Sequence, residues 1–90
     1  MNKNDHSLLI SAFELAIENY VDSGVRNFRR DKRMQRVYRT DAADLREVLR
    51  LFKRKAFAAA YAAAWKLDSV PREVIPQNVW KALEKTEPAL

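Results

Sequence analysis

The sequence predicts an all-α fold, a small four-helix-type bundle with one long central helix over residues 42–67. One glycine and three prolines in ninety residues leave few turn signals. Apolar residues recur at helical spacing along most of the chain. Hydrophobic residues make up 48% of the chain and charged residues 32%, which is typical of a folded globule. We expect one helical domain over residues 1–90, with a loose tail at 87–90.

The first predicted helix begins near Asp5 or Ser7, which are both suitable N-caps, and ends at Ser23. Gly24 follows directly and is the only glycine. We expect it at the C′ position, where a left-handed backbone closes a helix. The apolar side chains of this helix share one face: Ile10, Phe13, Ile17, Tyr20 and Val21.

The next segment, VRNFRRDKRMQRVYR at residues 25–39, does not follow one helical pattern. Its apolar phase slips near Asp31. We therefore expect a short helix over about 25–32, a break, and a short helical or extended piece over 33–39.

The main helix is predicted to begin at Asp41, with Asp41 as N-cap and Asp44 completing a capping pair. It should run to about Leu67 and end before Pro71. A last helix over about 76–86 should start at Pro76, since proline suits the first helical position. Its inward side chains should be Val79, Trp80 and Leu83.

Positive charge is concentrated in the middle third of the chain. Residues 26–55 carry twelve Arg and Lys against four acids, whereas residues 1–25 are net acidic and residues 56–90 are neutral, within a net charge of +5. Three acids on the first helix, Glu14, Glu18 and Asp22, repel one another at their i, i+4, i+8 spacing. They can neutralise only part of the block, so the remaining cations should face outward and attract an anionic partner.

The first hypothesis is nucleic-acid binding in a regulatory or accessory role. Arginine forms bidentate hydrogen bonds with phosphate. Phe28 and Tyr38, which lie between the arginines in the sequence, would suit stacking on single-stranded bases or RNA. In the alternative interpretation both rings are core and the arginines form a solvated face. The predicted contacts are Arg26, Arg29, Arg30, Arg33, Arg36, Arg39, Arg50 and Arg54.

The second hypothesis is a protein–protein interaction module, an inhibitor or adaptor, that docks the same basic face on an acidic partner protein. A row at i, i+4, i+8 lies on the second side of the main helix: Phe57, Tyr61 and Trp65. It predicts packing in the centre of the bundle, against a partner or in a homodimer.

Catalysis, metal binding and cofactors are not expected. The chain has no cysteine, and its single histidine, His6, should lie at the surface. No Gly-rich phosphate loop or metal-ligand spacing occurs. No apolar run reaches the length of a membrane span, and the N-terminus lacks the pattern of a signal peptide. We expect a cytoplasmic protein, associated with the nucleoid if it binds DNA.

Residues 73–83, EVIPQNVWKAL, resemble the end of Hha/YmoA-type proteins, small all-helical bacterial nucleoid modulators with an I-P-x-x-V-W-K segment. Residues 44–50, DLREVLR, are loosely similar to an upstream helix of that family. The resemblance implies a nucleoid or DNA-regulation context. The spacing of the two segments departs from the family and residues 25–39 have no counterpart in it, so no functional residue is carried over.

Overall fold

The computed structural model describes residues 2–85, which form five helices and no strand. The all-α helical bundle is therefore confirmed, while the predicted tail at 87–90 lies outside the described residues. The helices are α1 (Lys3–Asn27), α2 (Lys32–Lys53), α3 (Phe57–Lys66), α4 (Ser69–Val74) and α5 (Gln77–Lys85).

The first two helices form an antiparallel hairpin. Helices α3, α4 and α5 pack against the end of the hairpin where α1 begins and α2 ends. The opposite end, residues 20–41, makes its described hydrogen bonds and ring contacts only within itself. We call residues 20–41 the arm.

The core lies between the hairpin and the three shorter helices. The predicted apolar faces of α1 and α5 are confirmed, since Phe13, Ile17, Val79 and Leu83 are buried and Trp80 is half-buried. The largest fully buried side chains are Phe13, Phe52, Ile17, Leu45, Leu83, Val48 and Val79.

Helix α1 is longer than predicted at both ends. It is capped by Asn2, whose side chain accepts a hydrogen bond from the Asn4 backbone N–H at 2.8 Å. It continues past Gly24 to Asn27, and Gly24 has no positive φ. The prediction that Gly24 closes the helix was wrong, because this glycine serves a close approach between helices.

The N-cap of helix α2 lies ten residues before the predicted cap at Asp41. Asp31 is its N-cap and accepts a hydrogen bond from the Met34 backbone N–H at 3.1 Å. From Met34 onward the apolar spacing continues through Tyr38 and Leu45 without a break. The predicted break near Asp31 is confirmed, since α1 ends at Asn27 and α2 begins at Lys32. The separate short pieces over 25–32 and 33–39, and the Asp41 cap, were wrong, because the segments before and after the break belong to the two long helices.

The prediction of a single helix over 42–67 is also wrong, because α2 ends at Lys53 and a separate helix, α3, begins at Phe57. The Ala56 N–H donates to the Leu51 carbonyl and the Lys55 N–H to the Phe52 carbonyl, each at 3.0 Å. This is a Schellman ending, with Lys55 in the left-handed position at φ 61°. The corner turns the Phe57 ring onto Phe52, 5.5 Å between centroids.

His6 is buried, not exposed as expected. Its Nε2 lies 2.8 Å from the Phe52 carbonyl oxygen and donates to it. Its ring also contacts those of Phe52 and Phe57, at 4.9 and 5.9 Å. These contacts attach the start of α1 to the α2–α3 corner.

The short helices are joined by proline-containing corners. Pro71 does not end the main helix but lies in the first turn of α4, where a backbone N–H has no helical partner. Arg72 fastens this corner by donating through Nη2 to the carbonyls of Trp65 and Leu67, at 3.0 and 2.7 Å. Pro76 directly precedes α5, and its carbonyl accepts the first hydrogen bonds of that helix.

The Lys55 conformation predicts that Lys55→Gly stabilises the protein. A left-handed backbone penalises a side chain, so removing it should raise the free energy of unfolding by about 0.5–1 kcal/mol. Chemical denaturation measures the change. Lys55→Ala is the matched control, because it removes the same charge but keeps a Cβ, and it should stay within about 0.5 kcal/mol of the parent. Equal stabilisation by both variants would attribute the effect to charge.

Candidate functional site

The arm is held together by three aromatic rings packed over a glycine. A Cβ added to Gly24 would lie 2.3 Å from the Tyr38 ring, so only glycine lets this ring rest on the backbone of α1. The Tyr38 ring also contacts those of Tyr20 and Phe28, with centroids 4.8 and 5.7 Å apart. These contacts extend apolar packing from the core into the arm.

The turn between α1 and α2 is fixed by one side chain of α2. The Gln35 Nε2 donates to the carbonyls of Phe28 and Arg29, at 2.8 and 2.9 Å. The Asp31 N–H donates to the Phe28 carbonyl as well, at 3.1 Å. The backbone that carries Arg29 and Arg30 is therefore held in place.

A hydrogen bond closes the base of the arm. The Tyr20 hydroxyl donates to Oδ2 of Asp41 at 2.7 Å, and Asp41 is 9% exposed. Burial, followed by the hydrogen bond to this carboxylate and its charge, raises the pKa of Tyr20 well above its ordinary value. Asp41 thus serves an internal hydrogen bond and not the neutralisation of the arm cations.

The surface of the arm is strongly basic. All seven Arg and Lys side chains of residues 26–39 are exposed. Arg26 forms an ion pair with Asp22 at 2.7 Å. Among the described residues, no carboxylate lies within ion-pair distance of the other six. We call these six the arm cations: Arg29, Arg30, Lys32, Arg33, Arg36 and Arg39.

Several basic residues also form a straight row along α2. Their spacing of three or four residues places them on one side of the helix, interrupted only by Ala43, over about 31 Å. The predicted contacts did not include Lys32, Arg46 and Lys53, and the full row can be followed only when residues 32–53 form one helix. The row consists of Lys32, Arg36, Arg39, Arg46, Arg50 and Lys53.

Acidic residues pair with two of the three cations in the C-terminal half of this row. Arg50 donates to both carboxylate oxygens of Glu47, at 2.6 and 2.9 Å, and this hydrogen bonding lowers the pKa of Glu47 and raises that of Arg50. Lys53 pairs with Glu14 at 2.9 Å, and Arg46 shares a groove with Glu18.

The predicted contacts therefore separate into two groups. Five of them are arm cations, whereas Arg26 and Arg50 are paired within the chain and Arg54 lies at the far end of α2. Two acids of the α1 row, Glu14 and Asp22, form ion pairs with basic residues. These pairs relieve the repulsion expected from the spacing of the acids.

The predicted packing row on α3 is largely used inside the chain. Phe57 is half-buried against Phe52 and His6, and Tyr61 is half-buried with its ring 6.3 Å from Trp80. Trp65 is 51% exposed, yet the Arg72 guanidinium lies 4.8 Å from its ring centroid. Homodimerisation through this row stays a prediction.

Comparison with known proteins gives no relative. No known protein family, no curated protein and no solved structure matches the chain, so nothing extends the short resemblance of residues 73–83 to a family. Within residues 2–85, no group of three His, Asp or Glu side chains is placed to hold a metal ion. None of the described helices is both long and apolar enough to cross a membrane.

The packing of Tyr38 on Gly24 predicts that the effect of Gly24→Ala on the free energy of unfolding changes sign when the Tyr38 ring is removed. Gly24→Ala should lower the free energy of unfolding by about 1–3 kcal/mol, because the new Cβ displaces the ring. In a Tyr38→Ala background the same substitution should raise it by about 0.5–1 kcal/mol, because alanine favours a helix interior over glycine. Urea denaturation of the four proteins measures both effects. The same destabilisation in both backgrounds would contradict this role of the ring.

The raised pKa of Tyr20 predicts a loss of stability in alkali. The unfolded phenol ionises near pH 10, before the folded one, so the stabilisation is complete below about pH 10 and declines as the pH rises further. Tyr20→Phe should be less stable than the parent at pH 8. It should also lose less stability than the parent between about pH 9.5 and 11.5.

Thermal unfolding across this range measures both quantities. The control is Tyr61→Phe, since the Tyr61 hydroxyl makes no hydrogen bond among the described residues. A parallel loss in the parent and Tyr20→Phe would show that Tyr20 does not contribute.

Proposed function

We propose that this protein is a non-catalytic nucleic-acid-binding protein that contacts the phosphate backbone through its arm. The observation that carries the proposal is the set of six arm cations on a rigid support, without an acidic partner among the described residues. The acids nearest in sequence serve other purposes, since Asp31 caps α2 and Asp41 binds Tyr20. The excess charge is therefore available to an external anion.

The chemistry of the cluster favours phosphate. Five of the six arm cations are arginines, whose planar guanidinium donates two parallel hydrogen bonds to phosphate oxygens. Like charges this close repel one another, and a polyanion relieves the repulsion.

The extent of the cluster favours a polymer over a single anion. Lys32 and Arg39 are separated by about 10 Å along the axis of α2, and the turn adds Arg29 and Arg30 beyond it. Duplex DNA carries about one negative charge per 1.7 Å of its axis, so several phosphates fall within this distance. We expect a regulatory or accessory role for such a protein.

Fluorescence anisotropy with labelled DNA and RNA at about 50 mM salt tests the proposal. A variant with Arg29, Arg33 and Arg36 changed to Gln should bind about tenfold or more weakly, because each lost phosphate contact reduces counterion release. Glutamine preserves length and helix propensity. The matched control carries the same loss of charge in α3 and α5, and should bind within about threefold of the parent: Lys66, Lys81 and Lys85 changed to Gln.

Two results would overturn the proposal. One is the absence of binding to DNA and RNA by the parent protein at low salt. The other is an equal loss of affinity in both triple variants, which would attribute binding to net charge alone. If nucleic acid does not bind, and the arm variant loses a protein that the parent recovers from nuclease-treated lysate, the acidic-protein hypothesis replaces it.

A further inference from the structure

We infer that the nucleic acid is duplex DNA, with the N-terminal turns of α2 in the major groove and contacts to phosphates rather than to specific bases. This inference rests on the proposed function and narrows its ligand. Three observations support it: the packing of the arm aromatics, the distribution of arginines around α2, and the internal use of Gln35.

The arm offers no free ring on which a base could stack. Proteins that bind single strands use exposed aromatic side chains for this purpose. Here Tyr38 lies on Gly24 between Tyr20 and Phe28, and all three rings are half-buried. The packing removes the basis for stacking by Phe28 and Tyr38 and favours a ligand whose bases are already paired.

The arginines of α2 are arranged to reach phosphates on two sides. At 100° per residue, Arg33 and Arg39 lie about 120° apart on the helix surface, with Arg36 midway between them. A helix with its side chains is about 10–12 Å across, which matches the width of the B-DNA major groove. In that position Arg33 and Arg39 point toward opposite strands.

The one amide side chain in the first turns of α2 is not available to read a base. Glutamine recognises adenine through its amide group, but the Gln35 amide is hydrogen-bonded to the carbonyls of Phe28 and Arg29. The exposed side of the first turns of α2 carries Lys32, Arg33 and Arg36. We therefore expect contacts that position the protein on the backbone with little sequence preference.

A competition experiment with the full chain tests this inference. The labelled ligand is a 20-bp DNA duplex of mixed sequence, and the competitors are an unrelated DNA duplex, an RNA duplex and dT20. The unrelated DNA duplex should compete within about threefold of the parent sequence, since phosphate contacts carry no sequence information. The RNA duplex and dT20 should each compete at least about fivefold more weakly, because the A-form major groove excludes a helix and dT20 needs stacking partners.

Three variants test the geometry. Arg33→Gln and Arg39→Gln should each lower the slope of log affinity against log salt by about one, as expected for the loss of one phosphate contact. Phe28→Leu should keep duplex affinity within about twofold, because leucine preserves apolar packing against Tyr38 and the ring itself does not touch the ligand; circular dichroism confirms that the variant is folded.

Each alternative outcome is distinct. Equal or tighter competition by dT20 or RNA, a fivefold loss of affinity in folded Phe28→Leu, or unchanged salt slopes in both arginine variants overturns the groove placement and leaves the proposed function intact. A tenfold preference between the two DNA duplexes overturns the inference of backbone recognition alone. If no nucleic acid binds at low salt, both the inference and the proposed function fail.

Discussion

The packing of the Tyr38 ring on the bare backbone of Gly24 is the contact on which the arm depends. Where two helices extend beyond the core, their facing sides must either pack on each other or be exposed to solvent. Here the missing side chain lets Tyr38 approach α1 closely enough to join Tyr20 and Phe28 in one stack. The stack places the turn and the first turns of α2 at a defined position, so the charges they carry form a fixed surface.

The acids of the chain are distributed so that this surface remains charged. Glu14 and Glu47 hold Lys53 and Arg50 in the C-terminal half of α2, and Asp41 is buried against Tyr20. The pairs at the surface contribute little stability individually, since solvent screens exposed ion pairs. Their importance here is electrostatic, because they neutralise two cations of α2 outside the arm, while the six arm cations have no ion-pair partner among the described residues.

Sequence patterns predicted the helical class and the inward faces of Phe13, Ile17, Val79 and Leu83, because these depend on spacing within a single helix. The concentration of positive charge was equally readable. Local patterns failed where a residue's role depends on a distant partner. A glycine at position 24 is equally compatible with closing a helix and with making room for an aromatic ring. Only the position of Tyr38 in the folded protein distinguishes the two roles.

The other misplaced boundaries share this origin. The corner at Lys55 has neither Gly nor Pro to mark it, and it is stabilised by Phe57 packing on Phe52 and His6. His6 is buried, and its ring donates a hydrogen bond to the carbonyl of Phe52, 46 residues away in the sequence. The row of cations along α2 could have been found from its spacing, but only after Asp31 was recognised as the cap.

The placement of the arm cations is unfavourable for folding, which strengthens the case for an external ligand. The N-terminus of a helix carries a partial positive charge, and cations in its first turn cost about 0.3–1 kcal/mol each. Helix α1 has Asp5 together with Lys3 in its first turn and Arg26 in its last. Helix α2 has basic residues in both, and no acid in its first turn. The same partial charge adds to the attraction for phosphate, so in the proposed complex the cations that cost the free protein stability would contribute to binding.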